Sequence, residues 1–211
     1  ILMRNFIFII YYIVIANLII TSGAFSKTQK CNFKQNICNT LDKVVGIKTP
    51  MMIASGTIID DNFIVTNRHV VEDHLQFIIK FNNGEIRKAI PLPHNFPTDL
   101  ALLSLEQTPQ KLNKLPKSKK IEGKIRVIAY DQGRNANRIY RAGQIISFSD
   151  FEKFPQARIH TNAKSLPGNS GGSVVDENGQ LIGILASGDG NINEVIPVSL
   201  INKIIENTDL K

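Results

Sequence analysis

The chain holds four histidines among its 211 residues, so a search for proton-transfer chemistry is short. Ser170 stands in the stretch KSLPGNSGGSVV, Lys164 to Val175, among three glycines. A serine hydroxyl is far too weak an acid to attack a carbonyl at neutral pH. It needs a neutral imidazole to take its proton and a carboxylate to orient that imidazole. His69, in TNRHVV, lies where an apolar strand gives way to a turn, which fixes a side chain on a rigid support. Asp99, in PTDLALLSL, immediately precedes another apolar strand, where it could be buried against the imidazole. Taken singly, each has an ordinary reading as a turn serine, a strand-end histidine or a capping aspartate. His74 follows His69 by five positions, which excludes the two-histidine zinc spacing on one helical face. His94 lies in a Pro-rich loop, and His160 reads most simply as a residue of a strand. No metal and no cofactor is expected.

The elements that must position these side chains are short strands. From Val44 to Leu105 apolar runs alternate with turn residues: ASGTII, FIVTN, LQFIIKF and LALLSL. The pattern resumes from Lys124 with KIRVIAY, AGQIISF, ARIHTN, GSVVDENGQLIGILAS and EVIPV. Runs of four to eight β-branched and aliphatic residues at this spacing predict an all-β protein, either a sandwich or a pair of barrels. A helix is predicted only at the end, over roughly Leu200 to Asn207, with Ser199 as its cap. The chain carries no clear internal repeat.

A hydrophobic fraction of 43% and a charged fraction of 20% describe a globular chain able to bury a core. Its start differs. After Met3 and Arg4 comes the apolar run Phe6 to Ile20, then Thr21-Ser22-Gly23-Ala24, the layout of a cleavable secretory leader. The run is shorter than the roughly 20 residues of a bilayer span, so a leader over 1–24 is favoured over an uncleaved anchor. The expected location is periplasmic or secreted, and a membrane is a partner only if the segment stays uncut. In an oxidising compartment Cys31 and Cys38 read as a small disulfide, with two free thiols as the alternative. The net charge of +7 and pI near 9.4 could suggest nucleic acid. The densest lysines, between Lys111 and Lys124, have no interleaved aromatics to stack bases, so a solvated linker is the expected reading and nucleic acid is not an expected partner.

TNRHVV, TDLALLSL and GNSGGSVV, in that order, resemble the His, Asp and Ser signatures of the trypsin-fold serine proteases, most closely the Deg/HtrA-like bacterial branch. The resemblance continues through RAGQIIS, GQLIGILAS and VIPVSLINKII, and so covers about Val44 to Ile205. It implies two six-stranded antiparallel β-barrels, over 44–110 and 124–198, joined by a linker over 111–123. A segment over 25–43 precedes them, and a short helix and tail over 199–211 follow. It implies a serine endopeptidase acting on proteins or peptides, without the peptide-binding domain such enzymes often carry and with no assembly state legible.

By the same resemblance Ser170 is the nucleophile, His69 the base and Asp99 its orienting carboxylate. The backbone N–H groups of Gly168 and Ser170 would receive the developing oxyanion. Lys164, Ser165, Leu166, Leu185, Ala186 and Ser187 would form the pocket for the side chain before the cut. Leu185 favours small or medium apolar side chains there, and Lys164 keeps an acidic preference open. Asn169 stands where digestive relatives have an aspartate that pairs with a new amino terminus, so activity should not depend on such a terminus. An inactive scaffold of the same fold is the alternative to an enzyme.

Overall fold

Period-two runs in which both faces are apolar can be satisfied only by a sheet closed on itself and packed against a second body. That is how β1 (Val44–Lys48) behaves. Val45 and Ile47 enter one core, Val44 enters another, and an added Cβ at Gly46 would lie 2.8 Å from the Tyr130 ring. Glycine at that position lets two barrels touch.

The structure is a computed structural model that describes residues 31–60, 62–72, 74–106, 115–149, 154–189 and 191–208. The expected leader, and Lys111 and Lys114 of the expected linker, lie outside the described residues. Together with β1, the strands β2 (Ile53–Ile58), β3 (Phe63–Thr66), β4 (Phe77–Lys80), β5 (Ile86–Leu92) and β6 (Ala101–Leu105) close a first antiparallel barrel in the order β1-β2-β3-β6-β5-β4. Its filling is Ile47, Ile58, Ile64, Phe77, Ile79 and Leu103, all fully buried.

The second barrel comprises β7 (Lys124–Asp131), β8 (Ala136–Ile139), β9 (Gly143–Phe148), β10 (Ile159–Thr161), β11 (Ser173–Asp176), β12 (Leu181–Gly188) and β13 (Asn193–Pro197). Six of these form a ring in the order β11-β12-β13-β10-β9-β7, closed by pairing of β11 with β7. β8 pairs with the second half of β7 and β9 with the first half, so β8 and β9 are two pieces of one bent strand. The expectation of two six-stranded barrels holds.

Two local readings change. The terminal helix spans Val198–Glu206, and Pro197 rather than Ser199 occupies its cap position. The Ser199 hydroxyl is buried without a partner; it lies inside the first turn, where it cannot cap. His69 follows β3, as expected, in a turn that is a single turn of helix, Arg68–Val71. The end of the expected linker is also not merely solvated. Leu115 is buried, Leu181 N–H donates to the Pro116 carbonyl, and Ser118 N–H donates to the Leu181 carbonyl.

The helix joins the two barrels. Leu200, Ile201 and Ile204 pack with Leu100 and Leu102 of the first barrel and with Leu181, Ile184 and Ile196 of the second. Each such fully buried aliphatic side chain contributes about 1.5 to 3 kcal/mol, and Leu100, the residue just after Asp99, anchors the chain there. Near the amino end Cys31 and Cys38 are joined by a disulfide around the short helix Gln35–Cys38. Among the described residues no helix is long and apolar enough to cross a membrane.

Candidate active site

His69 and Asp99 are brought together by the two ends of neighbouring strands. β3 pairs with β6 so that Thr66 lies opposite Ala101, which places the residues just after Thr66 beside those just before Ala101. Asn67 then donates from Nδ2 to the Asp99 carbonyl at 3.0 Å, and Arg68 donates to the Phe96 carbonyl at 2.8 Å. The two short loops are thereby stitched to each other. The His69 N–H donates to Asp99 Oδ1 at 3.1 Å, while the ring Nδ1 lies 3.0 Å from Oδ2 and 3.2 Å from Oδ1.

The electrostatics follow from that geometry. The hydrogen bond to Asp99 raises the His69 pKa above its ordinary value, against the opposing effect of partial burial. Burial pushes Asp99 upward, yet the side-chain and backbone hydrogen bonds from His69 outweigh it and hold the carboxyl below the usual range. With Nδ1 occupied by a carboxylate, the other ring nitrogen is the one left to accept a proton.

Ser170 lies on the opposite barrel, in a turn built by sequence. Leu166-Pro167-Gly168-Asn169 is closed by an Asn169 N–H to Leu166 carbonyl bond of 3.1 Å, and Gly168 has φ +86°. Proline second and a positive-φ glycine third define a type II turn. Among the described residues nothing accepts from the N–H of Gly168 or of Ser170, so the donors on either side of Asn169 are unclaimed.

Asn169 fixes this turn from beneath. Its buried carboxamide accepts from Leu166 N–H at 2.7 Å and donates to the Tyr130 carbonyl at 3.1 Å and to Tyr140 Oη at 3.0 Å. From the first barrel, Ser55 N–H donates to the Ser170 carbonyl at 2.8 Å, Ser55 Oγ to the Gly168 carbonyl at 3.2 Å, and Thr57 Oγ1 to the Gly171 carbonyl at 3.1 Å. Gly171, at φ +85°, approaches so closely that an added Cβ would sit 1.9 Å from the Ser55 carbonyl oxygen. Sequence reasoning missed Ser55, Thr57, Tyr130 and Tyr140. The available signal was the pair of hydroxyls in ASGTII, polar residues at alternate positions of an otherwise apolar strand.

His69, Ser170, Lys164, Ser165, Leu166, Leu185, Ala186 and Ser187 line one cleft of about 740 Å³ between the barrels. The Ser170 hydroxyl, however, donates to the Ala186 carbonyl at 3.0 Å, and among the described residues it makes no hydrogen bond to His69. Leu185 lines the cleft while being only 2% exposed and packed with the second-barrel core. Behind the lining residue Ser165 lies a buried polar chain: Ser165 Oγ donates to Asn193 Oδ1 at 2.6 Å, and Asn193 Nδ2 donates to the Ala163 carbonyl at 2.6 Å. Of the other histidines, His94 lies 2.9 Å from the Leu100 carbonyl, and His160 faces outward from β10 beside Ser147.

Two closed six-stranded barrels with an imidazole–carboxylate pair and a serine at their shared cleft have the trypsin-like protease fold. A family model for the trypsin-like peptidase domain matches residues 54–184, more than half of the chain, and the chain belongs to that family. It is similar to the serine endoprotease DegS of Salmonella typhimurium, 29% identical over 189 residues that make up 82% of this chain and 52% of that protein. It is also 30% identical over 159 residues to a probable periplasmic DegP-like serine endoprotease of Chlamydia pneumoniae, covering 69% of this chain and 32% of that one. The chain thus spans about half of the DegS relative and about a third of the DegP-like one. Among solved structures, the inactive form of the protease Rv3671c of M. tuberculosis matches with a TM-score of 0.69 at 19% identity, covering 83% of this chain and 93% of that one. The HtrA-type protease AlgW with a tripeptide gives 0.69 at 23% identity, over 81% of this chain and 61% of that one.

Proposed function

We propose that the chain is an exported serine endopeptidase in which Ser170, His69 and Asp99 form a catalytic triad. The observation that carries this reading is the His69–Asp99 pair facing a cleft whose other wall presents a serine beside two unclaimed N–H donors. Ser170 Oγ attacks the scissile carbonyl while His69 Nε2 accepts its proton, and Asp99 holds the ring in the tautomer that leaves Nε2 free. The carbonyl oxygen becomes an oxyanion facing the N–H groups of Gly168 and Ser170. Collapse breaks the C–N bond, His69 returns the proton to the leaving amine, and water then hydrolyses the acyl-serine by the same route. Export is supported by the leader-like start and by the periplasmic designation of the DegP-like relatives.

For the side chain before the cut, the Ser165–Asn193 pair and Leu185's position in the core favour small residues over long aliphatic ones. Cleavage profiling with a peptide library tests this; dominant cleavage after Phe, or after Asp and Glu, would reject it. One observation favours a second reading. The Ser170 hydroxyl is turned to Ala186, as it could be in a scaffold without turnover. A fluorophosphonate probe decides between them: labelling of the wild type that vanishes in Ser170→Ala supports the enzyme, and a folded wild type that is never labelled supports the scaffold.

A further inference from the structure

A second hollow, of about 640 Å³, adjoins the cleft and shares Ser187, Gly188 and Asp189 with it. It lies on the outer face of the second barrel, between β9, β10 and the turn that follows β12. Two of its walls are apolar and open to solvent, Ile146 at 53% and Ile192 at 47% exposure. Its polar groups are organised. Ser187 Oγ donates to Glu194 Oε2 at 3.0 Å, His160 Nε2 lies 3.8 Å from Glu194 Oε1, and Ser147 Oγ lies 3.0 Å from His160 Nδ1. Asp189 Oδ1 accepts from the N–H groups of Asn191 and Ile192 at 2.8 and 2.9 Å, which leaves Oδ2 without a hydrogen bond among the described residues. Two carboxylates on this hollow, Asp189 and Glu194, stand out in a chain of net charge +7.

The backbone beside the hollow states what reaches it. β12 pairs with β11 only as far as Ile184, and from there to Gly188 it pairs with β13 along one edge. The other edge of Ala186–Gly188 faces the cleft, an open strand edge of the kind that accepts an added peptide strand. Ala186 is next to the Ser170 hydroxyl. A peptide added antiparallel therefore runs from Gly188 towards Ala186, and its residues near Asp189 precede the scissile bond. At about 3.3 Å per extended residue, the fourth or fifth residue before the cut arrives over the hollow.

We propose that this hollow is a distal substrate subsite that takes a lysine or arginine side chain from the fourth or fifth position before the cleaved bond. The aliphatic stem lies over Ile146 and Ile192 while the cationic head meets Asp189 and Glu194, the arrangement long basic side chains adopt on half-apolar surfaces. This rests on the peptidase reading of the cleft, and the experiment separates the two. Peptides identical around the cut but carrying lysine or norleucine at the distal position are compared by kcat/KM. Lysine is expected to win by about fivefold, the size of an exposed charge pair, with the advantage shrinking as salt is raised. It is expected to vanish in the Asp189→Asn, Glu194→Gln double variant. Equal turnover of the two peptides by the wild type, or a lysine advantage insensitive to salt, overturns the subsite. If neither peptide is cut, the peptidase reading fails, and fluorescence-anisotropy binding of the same peptides to Ser170→Ala decides the subsite alone. The lysine peptide binding about fivefold tighter supports it; equal binding, or none, rejects it.

Discussion

Ser170 Oγ donates to the carbonyl oxygen of Ala186 at 3.0 Å, across the cleft from the His69 ring. That carbonyl lies on the open edge of β12, where an incoming peptide N–H would compete for it. A substrate that takes the Ala186 carbonyl frees the hydroxyl to turn towards His69, at the cost of one neutral hydrogen bond worth about 1 kcal/mol. A peptidyl phosphonate with an intact N–H at its last residue should label Ser170 at least about fivefold faster than its N-methyl counterpart. Equal labelling rates, measured by intact mass against time, would show that the hydroxyl does not wait for displacement.

The His69–Asp99 contact sets the pH response. As the proposed base His69 must be unprotonated to accept from Ser170, and the hydrogen bond to Asp99 raises its pKa, so activity should rise with pH through a value above that of free histidine, about 6.5. Asp99→Asn removes the charge that favours the imidazolium. The acid limb of kcat/KM should move to lower pH, and kcat should fall by about 10⁴-fold, the loss seen when the tautomer is no longer held. An unchanged acid limb in Asp99→Asn would remove Asp99 from the role given to it.

Asn169 supports the turn that carries Gly168 and Ser170. In Asn169→Asp the group facing the Tyr130 carbonyl becomes a buried carboxylate that can no longer donate, with a penalty on the order of 1 to 3 kcal/mol. Turnover should drop at least about tenfold, whereas Tyr140→Phe, which removes one of the same hydrogen bonds, should cost about 1 kcal/mol of stability. Because Asn169 needs no ion pair, forms differing at their amino terminus should share one kcat. A strict requirement for one particular new terminus, measured on folded protein, would contradict this.

Much of this was legible because it lies in local pattern. GNSGG, TNRHVV and TDLALLSL announce themselves by residue type and order, and the strands with buried faces in both barrels were visible as apolar runs. β5 was not, since Ile86 and Ile90 are exposed and Lys88 and Pro91 interrupt the alternation. β8 was hidden because ANRI is short and exists by pairing with β7. Leu185 was placed in the pocket by resemblance and lines the cleft; its burial, and the bulge in β12–β13 pairing between Leu185 and Ser187, are encoded by no one-dimensional pattern. The Ser55 and Asn169 contacts reach across 113 and 39 residues, and separation of that kind leaves no periodic trace.

Two glycines with nearly the same backbone separate strain from crowding. Gly84 has φ +88° with nothing within 4 Å of an added Cβ, whereas Gly171 has φ +85° with the Ser55 carbonyl oxygen at 1.9 Å and Thr66 Oγ1 at 2.4 Å. Alanine at residue 84 meets only the left-handed conformation and should cost about 1 to 2 kcal/mol. Alanine at residue 171 must in addition displace the β2 backbone that fixes Ser170, and a clash with main chain cannot be relieved by a rotamer change. Gly171→Ala should therefore lose at least about 3 kcal/mol in urea unfolding and, where it still folds, should react more slowly with fluorophosphonate than Gly84→Ala. Similar midpoints and similar labelling rates for the two variants would mean that the close approach of β2 to the serine turn is not what holds Ser170 in place.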